Sequence, residues 1–255
     1  MVTVAFSNQK GGCAKTTSVW ALGTGLHRKG YKVLLVDLDA QSNLSFTASV
    51  DLLNLNTSLY DVFKGNASIE DAIQEVKPGL DIVTGGLKLT SADMDFNHQG
   101  REYMLAESLE QVASNYDYCI IDTEPHLGVL TTNALVSADK VIIPLQADIY
   151  GLQGMEQLKG FINRIRTGYR PPNPNLIIGG LLVTRVDERT NLTKALMEQI
   201  YNTATDMQTK VYGAKIHATV SIGETALLQD DIYTIAPNST ATKDYMAFVD
   251  EFLNE

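Results

Sequence analysis

Residues 2–17 read VTVAFSNQKGGCAKTT, and this stretch decides the fold. The run VTVAF has the apolar and β-branched residues of a buried strand, and residues 18–29 after the loop have a helical pattern. A glycine turn between a strand and a helix directs backbone N–H groups and the helix N-terminus towards an anion. In such loops a lysine adds positive charge and a hydroxyl binds Mg²⁺, and Lys15 and Thr16 occupy those positions. We therefore predict a nucleoside triphosphate site with Mg²⁺.

The loop differs from the common phosphate-binding pattern in an informative way. That pattern has glycine six residues and one residue before the lysine, where this chain has Gln9 and Ala14. Its spacing, K-G-G-x-x-K-[ST], is the deviant Walker A form, which begins with an additional lysine. A simple Gly-Gly turn with two surface lysines is the alternative, and the flanking strand and helix argue against it. The predicted nucleotide contacts in the loop are Lys10, Gly11, Gly12, Cys13, Ala14, Lys15, Thr16 and Thr17.

The composition limits the class of protein. A chain of 255 residues with 44% hydrophobic and 20% charged residues suits one α/β domain spanning residues 1–255. No apolar run approaches the roughly 18 residues of a membrane span, and the two cysteines cannot form a disulfide framework or a zinc site. We expect a cytoplasmic protein without a membrane partner. The net charge of −10 means that any DNA contact needs a local basic patch.

Short apolar runs alternate with helical patterns along the chain. Strands are predicted at residues 32–36, 81–84, 118–121, 141–143 and 177–183, and helices at 102–114, 152–166 and 192–203. This alternation indicates a doubly wound α/β fold, a mostly parallel sheet with helices on both faces. Ligands bind beyond the carboxyl ends of the strands in such sheets.

Three aspartates lie at predicted strand ends. Asp37 and Asp39 follow the second strand. Asp122 follows the apolar strand predicted at 118–121, which is the arrangement of a Walker B motif. Phosphoryl transfer to water needs a metal ion and a group that orients the water. We predict that Asp39 orients the water, and that the metal is held by Thr16, Asp37, Asp39 and Asp122. Aspartates that only form turns or cap helices are the alternative for each position.

Taken together, these motifs resemble those of the ParA/Soj partition ATPases, a deviant Walker A class. The matching segments are NQKGGCAKTT (8–17), LLVDLDAQSNLS (34–45), YDYCIIDTEPHLGVLTTNAL (116–135), VIIPLQADIYGLQGMEQL (141–158) and VTRVDERTNLTKAL (183–196). They cover most of the chain, and their order along it matches the family. The resemblance implies ATP as the nucleotide.

The resemblance also implies roles for individual residues. Lys10 resembles the signature lysine that reaches the nucleotide of a second copy in an ATP sandwich homodimer. Lys15 resembles the Walker lysine and Asp39 the hydrolytic aspartate, so the expected catalytic residues are Lys10, Lys15 and Asp39. Residues 122–131 resemble switch II, which responds to the γ-phosphate. The resemblance further implies slow ATP hydrolysis stimulated by a ParB-like centromere-binding protein, and non-specific DNA binding on the nucleoid.

The chain departs from the family pattern at three places. Glu124 stands where relatives usually have proline, and residues 216–224 lack the two arginines of the usual IPRNVRLSEAP stretch. The remaining candidates for DNA contact are Arg189, Lys194 and Lys215, with a second cationic group at Lys159, Arg164, Arg166 and Arg170. The third departure, TRVD at residues 184–187, weakly resembles a guanine-reading motif. We expect it to be a loop beside adenine, which makes Arg185 a candidate nucleotide contact.

Two functions stay open at this point. The first is a DNA-partition ATPase, and the second is an ATP-gated regulator or scaffold that has lost DNA binding. A membrane-bound MinD-like role fits less well because the final segment, with Tyr245 and Phe248 on its apolar face, predicts a helix docked on its own core. An iron protein fits less well because Cys13 and Cys119 are unsuitably placed for a cluster.

Overall fold

The computed structural model describes residues 1–148, 151–152, 154–187 and 191–255. An eight-stranded sheet with the order β3-β4-β2-β5-β1-β6-β7-β8 forms its centre, and the strands pair in parallel except for β3, which runs antiparallel to β4. The strands are β1 Val2–Phe6, β2 Val33–Leu38, β3 Ile73–Lys77, β4 Leu80–Val83, β5 Tyr118–Thr123, β6 Lys140–Gln146, β7 Ile177–Val186 and β8 Ile216–His217. The predicted α/β fold is confirmed.

Helices cover both faces of the sheet. They are α1 Lys15–Arg28, α2 Asn43–Thr47, α3 Leu59–Phe63, α4 Ile69–Ala72, α5 Ala92–Asp95, α6 Met104–Glu110, α7 Val129–Ser137, α8 Met155–Arg166, α9 Asn191–Asp206, α10 Val220–Leu228, α11 Ile232–Ile235 and α12 Thr240–Leu253. Short 3₁₀ turns lie at Leu87–Ser91, Arg101–Tyr103 and Ala113–Asn115. Within the described ranges, the helices are all too short or too polar to span a bilayer.

Each face of the sheet has its own hydrophobic core, because successive strand residues point to opposite sides. In β2, Leu34 and Val36 join the core under α3 and α6–α9, whereas Val33 and Leu35 join the core under α1, α2, α11 and α12. All four side chains are fully buried. Burial on both faces explains why the strands read as continuous apolar runs rather than as alternating ones.

Helix α12 packs on the second core, as predicted from its apolar face. Tyr245, Phe248 and Val249 are fully buried there. Gly25 of α1 lets the two helices approach closely, because a Cβ at this position would lie 2.6 Å from Val249 Cγ2. The chain's last helix therefore closes the core beside α1 instead of presenting its apolar face to solvent.

Most predicted elements differ from the structure by a few residues at their ends, and two of these differences have a clear physical reason. The predicted helix at 102–114 is interrupted: α6 begins at Met104, where Asn133 Oδ1 accepts the Leu105 N–H (3.0 Å), and 3₁₀ turns flank it. The predicted strand at 141–143 continues past Pro144 to Gln146. It can do so because β1 pairs with β6 only as far as Ile142, and proline is tolerated where a strand has lost a neighbour.

Candidate nucleotide-binding site

The carboxyl ends of β1, β2, β5 and β7 surround a cavity of about 1140 Å³. It lies where the strand order reverses around β1, the usual ligand position in doubly wound sheets. The residues that line it are Gly11, Gly12, Ala14, Lys15, Thr16, Thr17, Asp39, Ala40, Gln41, Asn43, Phe46, Thr47, Thr90, Glu124, Pro125, His126, Arg185, Ile216, Ala218, Thr219, Val220, Ile222, Gly223 and Ala226. This volume is slightly above the roughly 300–1,000 Å³ of typical small-ligand cavities, so it is large enough for a nucleotide.

The phosphate loop is built with two residues in left-handed backbone conformations. Gly12 has φ +74°, and Ala14 has φ 65° and ψ 33°. Ala14 directly precedes α1 and supplies no side-chain cap, so the first N–H groups of α1 have no competing side chain from it. Glycine adopts this conformation without strain, whereas alanine does so at a cost. The loop thus keeps a strained residue at the position that leads into the anion-binding helix end.

Contacts from neighbouring strands hold the loop in place. The buried hydroxyl of Thr184, at the end of β7, donates to the Cys13 carbonyl oxygen (3.0 Å). Gln146 Nε2 lies 3.3 Å and Arg185 Nη1 lies 3.4 Å from the Gly12 carbonyl oxygen. The Cys13 thiol is buried, which raises its pKa, and it donates to the Lys10 carbonyl oxygen. Because its thiol is buried, Cys13 can offer only its backbone to a nucleotide.

Thr16 and Asp122, both predicted metal ligands, lie in contact at the start of α1. The Thr16 hydroxyl donates to Asp122 Oδ2 at 2.6 Å, and Asp122 Oδ1 is buried with no hydrogen-bond partner among the described residues. Burial, followed by the nearby charge of Asp37, raises the pKa of Asp122. An unsatisfied buried carboxylate oxygen beside a hydroxyl fits Mg²⁺, which uses one or two carboxylates, waters and phosphate oxygens. Lys15, nearly buried beside them, supplies positive charge for the phosphates.

Asp37 lies near the end of β2 and is bonded within its own loop. Its Oδ2 accepts hydrogen bonds from the Ser45 N–H (2.9 Å) and hydroxyl (2.7 Å), and its Oδ1 accepts the Asp39 N–H (3.2 Å). The carboxylate is fully buried, which raises its pKa. Through these hydrogen bonds Asp37 holds Asp39 and the start of α2 in place. Its contact with the metal or with metal-bound water stays a prediction.

Asp39 and Lys10 occupy contrasting places. Asp39 lines the cavity, and its Oδ1 accepts the Gln41 N–H at 2.9 Å, which orients the carboxylate at the rim. Lys10 is turned to the end of β6, where its ammonium donates to Gln146 Oε1 (3.1 Å) and Asp148 Oδ2 (2.5 Å). The Lys10 side chain therefore points away from the cavity of its own chain.

The far wall of the cavity is apolar and was not predicted. Ile216, Val220 and Ile222, from β8 and the start of α10, line this wall together with Phe46 of α2 and Arg185 near the end of β7. Such a wall suits the flat faces of a base. From sequence, only Arg185 was a candidate here, because the remaining residues have no chemistry that marks them as ligand contacts.

Comparison with known proteins gives the family. The model of the AAA domain family matches residues 1–178. The sporulation initiation inhibitor protein Soj of Bacillus subtilis (strain 168) is 35% identical over 250 residues, which covers 97% of this chain and 96% of Soj. The chain belongs to the Soj/ParA family. Most residues of the segment 216–224, which the sequence resemblance singled out for its missing arginines, line the cavity.

Solved structures agree with this membership. A Borrelia burgdorferi B31 protein assigned to plasmid partition, bound to AMPPNP, superposes with a TM-score of 0.81 at 25% identity, covering 99% of this chain and 98% of that one. A Mycobacterium smegmatis protein described as cobyrinic acid a,c-diamide synthase, with a bound ATP analog and magnesium, gives 0.87 at 30%, covering 100% and 94%. Similar folds thus carry different functional descriptions, so the fold alone does not select the cargo or substrate.

Glu124 distinguishes this chain from the family pattern. It lies on the cavity wall together with His126, and burial raises the pKa of Glu124 to about 7, a shift that the charge of His126 opposes. The sequence showed the substitution of proline by glutamate but not that the side chain would face the cavity. A carboxylate at this position makes the loop after β5 sensitive to the charge that enters the site.

The DNA-contact candidates of the Soj/ParA resemblance are only partly covered by the structure. Arg189 lies outside the described residues. Lys194 is exposed on α9, and Lys215 is half-buried and engaged in an interaction. In the second cationic group, Lys159 pairs with Asp206, while Arg164, Arg166 and Arg170 extend along the end of α8 and its exit loop. The structure does not gather these candidates into one described basic surface.

Proposed function

We propose that the chain is a DNA-partition ATPase that binds ATP and Mg²⁺, dimerises on ATP and is switched by hydrolysis. The observation that carries this proposal is the unpartnered buried oxygen of Asp122 beside the Thr16 hydroxyl, at the start of α1 and within a nucleotide-sized cavity. The Soj relationship supports partition as the process that the nucleotide cycle serves.

The residues of the cavity divide the chemistry among them. The N-terminus of α1 and Lys15 bind the phosphates. Thr16 and Asp122 would hold Mg²⁺, which offsets charge on the phosphate oxygens when it is bound. Asp39, held by the Gln41 N–H, accepts a hydrogen bond from the attacking water and orients it. Asp37 contributes by fixing Asp39, through the hydrogen bond from the Asp39 N–H.

Lys10 supports the dimeric part of the proposal. Its ammonium is held by Gln146 and Asp148, away from its own cavity, so it is available to serve the nucleotide of a second copy. A second cation there would stabilise the charge that develops during hydrolysis. A ParB-like centromere-binding protein would stimulate this slow reaction, and release of phosphate would separate the two copies.

The test removes the carboxylate of Asp39. The Asp39→Ala variant is expected to bind ATP, to lose turnover by about a hundredfold or more, and to remain dimeric with ATP by mass measurement. Asp51→Ala is the matched control, because Asp51 is an exposed aspartate that contacts only its own turn at Leu53 and Asn54. Normal hydrolysis by Asp39→Ala would reject the assignment, and failure of the wild-type chain to bind ATP with Mg²⁺ would reject the function.

A second candidate, an ATP-gated regulator without DNA binding, is supported by the lack of basic residues in one segment. Residues 216–236 contain no lysine or arginine and include the exposed Glu224. DNA pelleting with and without ATP separates the two candidates, because only the partition ATPase should bind DNA in the ATP state. Each phosphate contact contributes about −0.9 to the slope of log K against log salt.

The salt dependence also tests which cations contact DNA. If Arg164, Arg166 and Arg170 of both copies bind phosphates, the slope should approach about −5, and the triple alanine variant should lose most of it. Arg189→Ala tests the first group of candidates for DNA contact, which contains Arg189, Lys194 and Lys215. If neither variant changes the affinity, both surfaces are wrong, and absence of binding in the wild-type chain favours the regulator.

A further inference from the structure

A carboxylate from a distant segment holds the loop between β5 and α7, residues 124–128. Asp93 of α5 accepts the Val129 N–H through Oδ1 at 2.7 Å, and its Oδ2 lies 3.1 Å from His126 Nε2. One side chain thus fastens the loop at two points, at its middle and at the first residue of α7. The loop directly follows Asp122, the residue that fits the metal.

Gly128 shows how closely the carboxylate is seated. A Cβ on Gly128 would lie 2.6 and 2.8 Å from the two oxygens of Asp93. Gly128 precedes α7 at the position where a Ser, Thr, Asp or Asn side chain commonly caps the helix, and it offers no such cap. Asp93 performs this task from α5, so the start of α7 depends on a residue 36 positions earlier in the chain.

The segment that carries Asp93 is itself part of the site. Thr90, three residues earlier, lines the nucleotide cavity, as do Glu124 and His126 of the loop. Asp95 of the same helix accepts a hydrogen bond from the Tyr60 hydroxyl at 2.9 Å, which fixes α5 against α3. Asp93 therefore links a fixed helix to a loop that faces the nucleotide.

The two contacts of Asp93 differ in strength. The side chains of Asp93 and His126 are 52% and 65% exposed, so their pairing is weak and can break when the loop moves. The contact with the Val129 N–H is stronger, because an ionised acceptor binds the N-terminus of a helix. The loop consequently has a firm attachment at α7 and a releasable one at His126.

We propose that Asp93 is a positioning residue for the loop 124–128, which it holds in the arrangement that meets the γ-phosphate. Asp93 is not among the described residues that line the nucleotide cavity, so it acts through His126 and through the start of α7. This proposal rests on the proposed ATPase function for its catalytic consequence, whereas its effect on the loop is a property of the chain without nucleotide.

The first experiment measures amide hydrogen exchange of the nucleotide-free chain in the peptides that contain residues 126–131. Asp93→Ala is expected to speed this exchange by about tenfold, since the loss of a helix cap has an effect of that size. Asp93→Asn, which keeps an acceptor for the Val129 N–H, should have a smaller effect. Met94→Ala is the matched control, because this neighbour on α5 is 79% exposed, and it should leave the exchange unchanged.

The second experiment measures ATP hydrolysis of the same variants with Mg²⁺. Asp93→Ala should lower kcat by about tenfold while KM changes by about twofold or less. The reason is that the variant disturbs the loop 124–128 and leaves the phosphate loop, which binds the nucleotide, unchanged. His126→Ala should lower kcat less, and the Asp93→Ala/His126→Ala double variant should match Asp93→Ala alone. This non-additivity is expected if His126 contributes through Asp93.

The outcomes separate this proposal from the proposed function. Wild-type-like exchange in Asp93→Ala, or equal effects of Asp93→Ala and Met94→Ala, would overturn the positioning role. Additive kcat losses would overturn the path through His126. If the wild-type chain hydrolyses no ATP, the proposed function fails, and the exchange measurement alone then decides whether Asp93 holds the loop.

Discussion

Replacing Ser42 by glycine should stabilise the protein. Ser42 adopts the left-handed conformation, with φ 51° and ψ 35°, at the start of α2. Its side chain is only 4% exposed, and its hydroxyl has no hydrogen-bond partner among the described residues. The backbone of Ser42 is satisfied, since its N–H donates to the Asp39 carbonyl oxygen at 2.9 Å. The substitution therefore removes an unfavourable side chain without removing a backbone contact.

Three contributions set the expected size of the effect. Relief of the left-handed conformation is worth about 1–2 kcal/mol, and removal of a buried unsatisfied hydroxyl about 1–3 kcal/mol. The greater freedom of glycine in the unfolded chain opposes them by about 1 kcal/mol. We expect the free energy of unfolding to rise by about 2 kcal/mol, which corresponds to a midpoint about 4–8 °C higher for a chain of this size.

The assay is thermal and urea unfolding of the nucleotide-free protein, with Ser45→Ala as the matched control. Ser45 lies three residues later and is also buried, but its hydroxyl donates to Asp37 Oδ2 at 2.7 Å. Its removal should cost about 2 kcal/mol, because a buried carboxylate loses a donor. A destabilised Ser42→Gly protein, or two variants that shift in the same direction, would refute this reasoning.

Three further predictions concern the same site. Ala14→Gly should raise the free energy of unfolding by about 0.5–1 kcal/mol, as measured by denaturant unfolding. Glycine removes the strain of the left-handed conformation at φ 65°, and this gain exceeds the cost of the greater freedom of glycine in the unfolded chain. Thr184→Val should lower the free energy of unfolding by about 1–2 kcal/mol and weaken nucleotide binding in titrations, because the Cys13 carbonyl oxygen loses its buried donor. ATP with Mg²⁺ at a hundred times the dissociation constant should stabilise the wild-type chain by about 2.7 kcal/mol in thermal unfolding, and Lys15→Ala should abolish this shift.

The phosphate loop and the sheet could be predicted from the sequence because both depend on local patterns. The loop is contiguous in the chain, so Lys15 and Thr16 could be assigned from spacing alone. The buried strands could be recognised as short apolar runs because both faces of the sheet are covered. β3, which was not predicted, is a half-exposed edge strand whose sequence, IQEVK, lacks such a run.

The residues that support the site could not be assigned from the sequence, because their roles come from tertiary contacts. Asp37 and Asp39 look equivalent along the chain, and only the hydrogen bonds from Ser45 show that Asp37 faces inward. Asp93 lies in a polar segment without a recognisable pattern, yet it reaches the start of α7. Among these supporting residues, only Thr184 had a recognisable feature in the sequence, because it is a polar residue near the end of an apolar strand.

Backbone strain points to the same cavity without any appeal to the family. Among the described residues, seven other than glycine have positive φ. Two of them, Ala14 and Ser42, lie in the loops after β1 and β2, and a third, Arg185, lies near the carboxyl end of β7. Each such conformation costs about 1–3 kcal/mol and persists only where the surroundings impose it. Glycine would remove this cost at each position, so the strain is tolerated where β1, β2 and β7 direct their carboxyl ends towards the same cavity. The arrangement of the loops, and not the stability of the fold, is what these residues preserve.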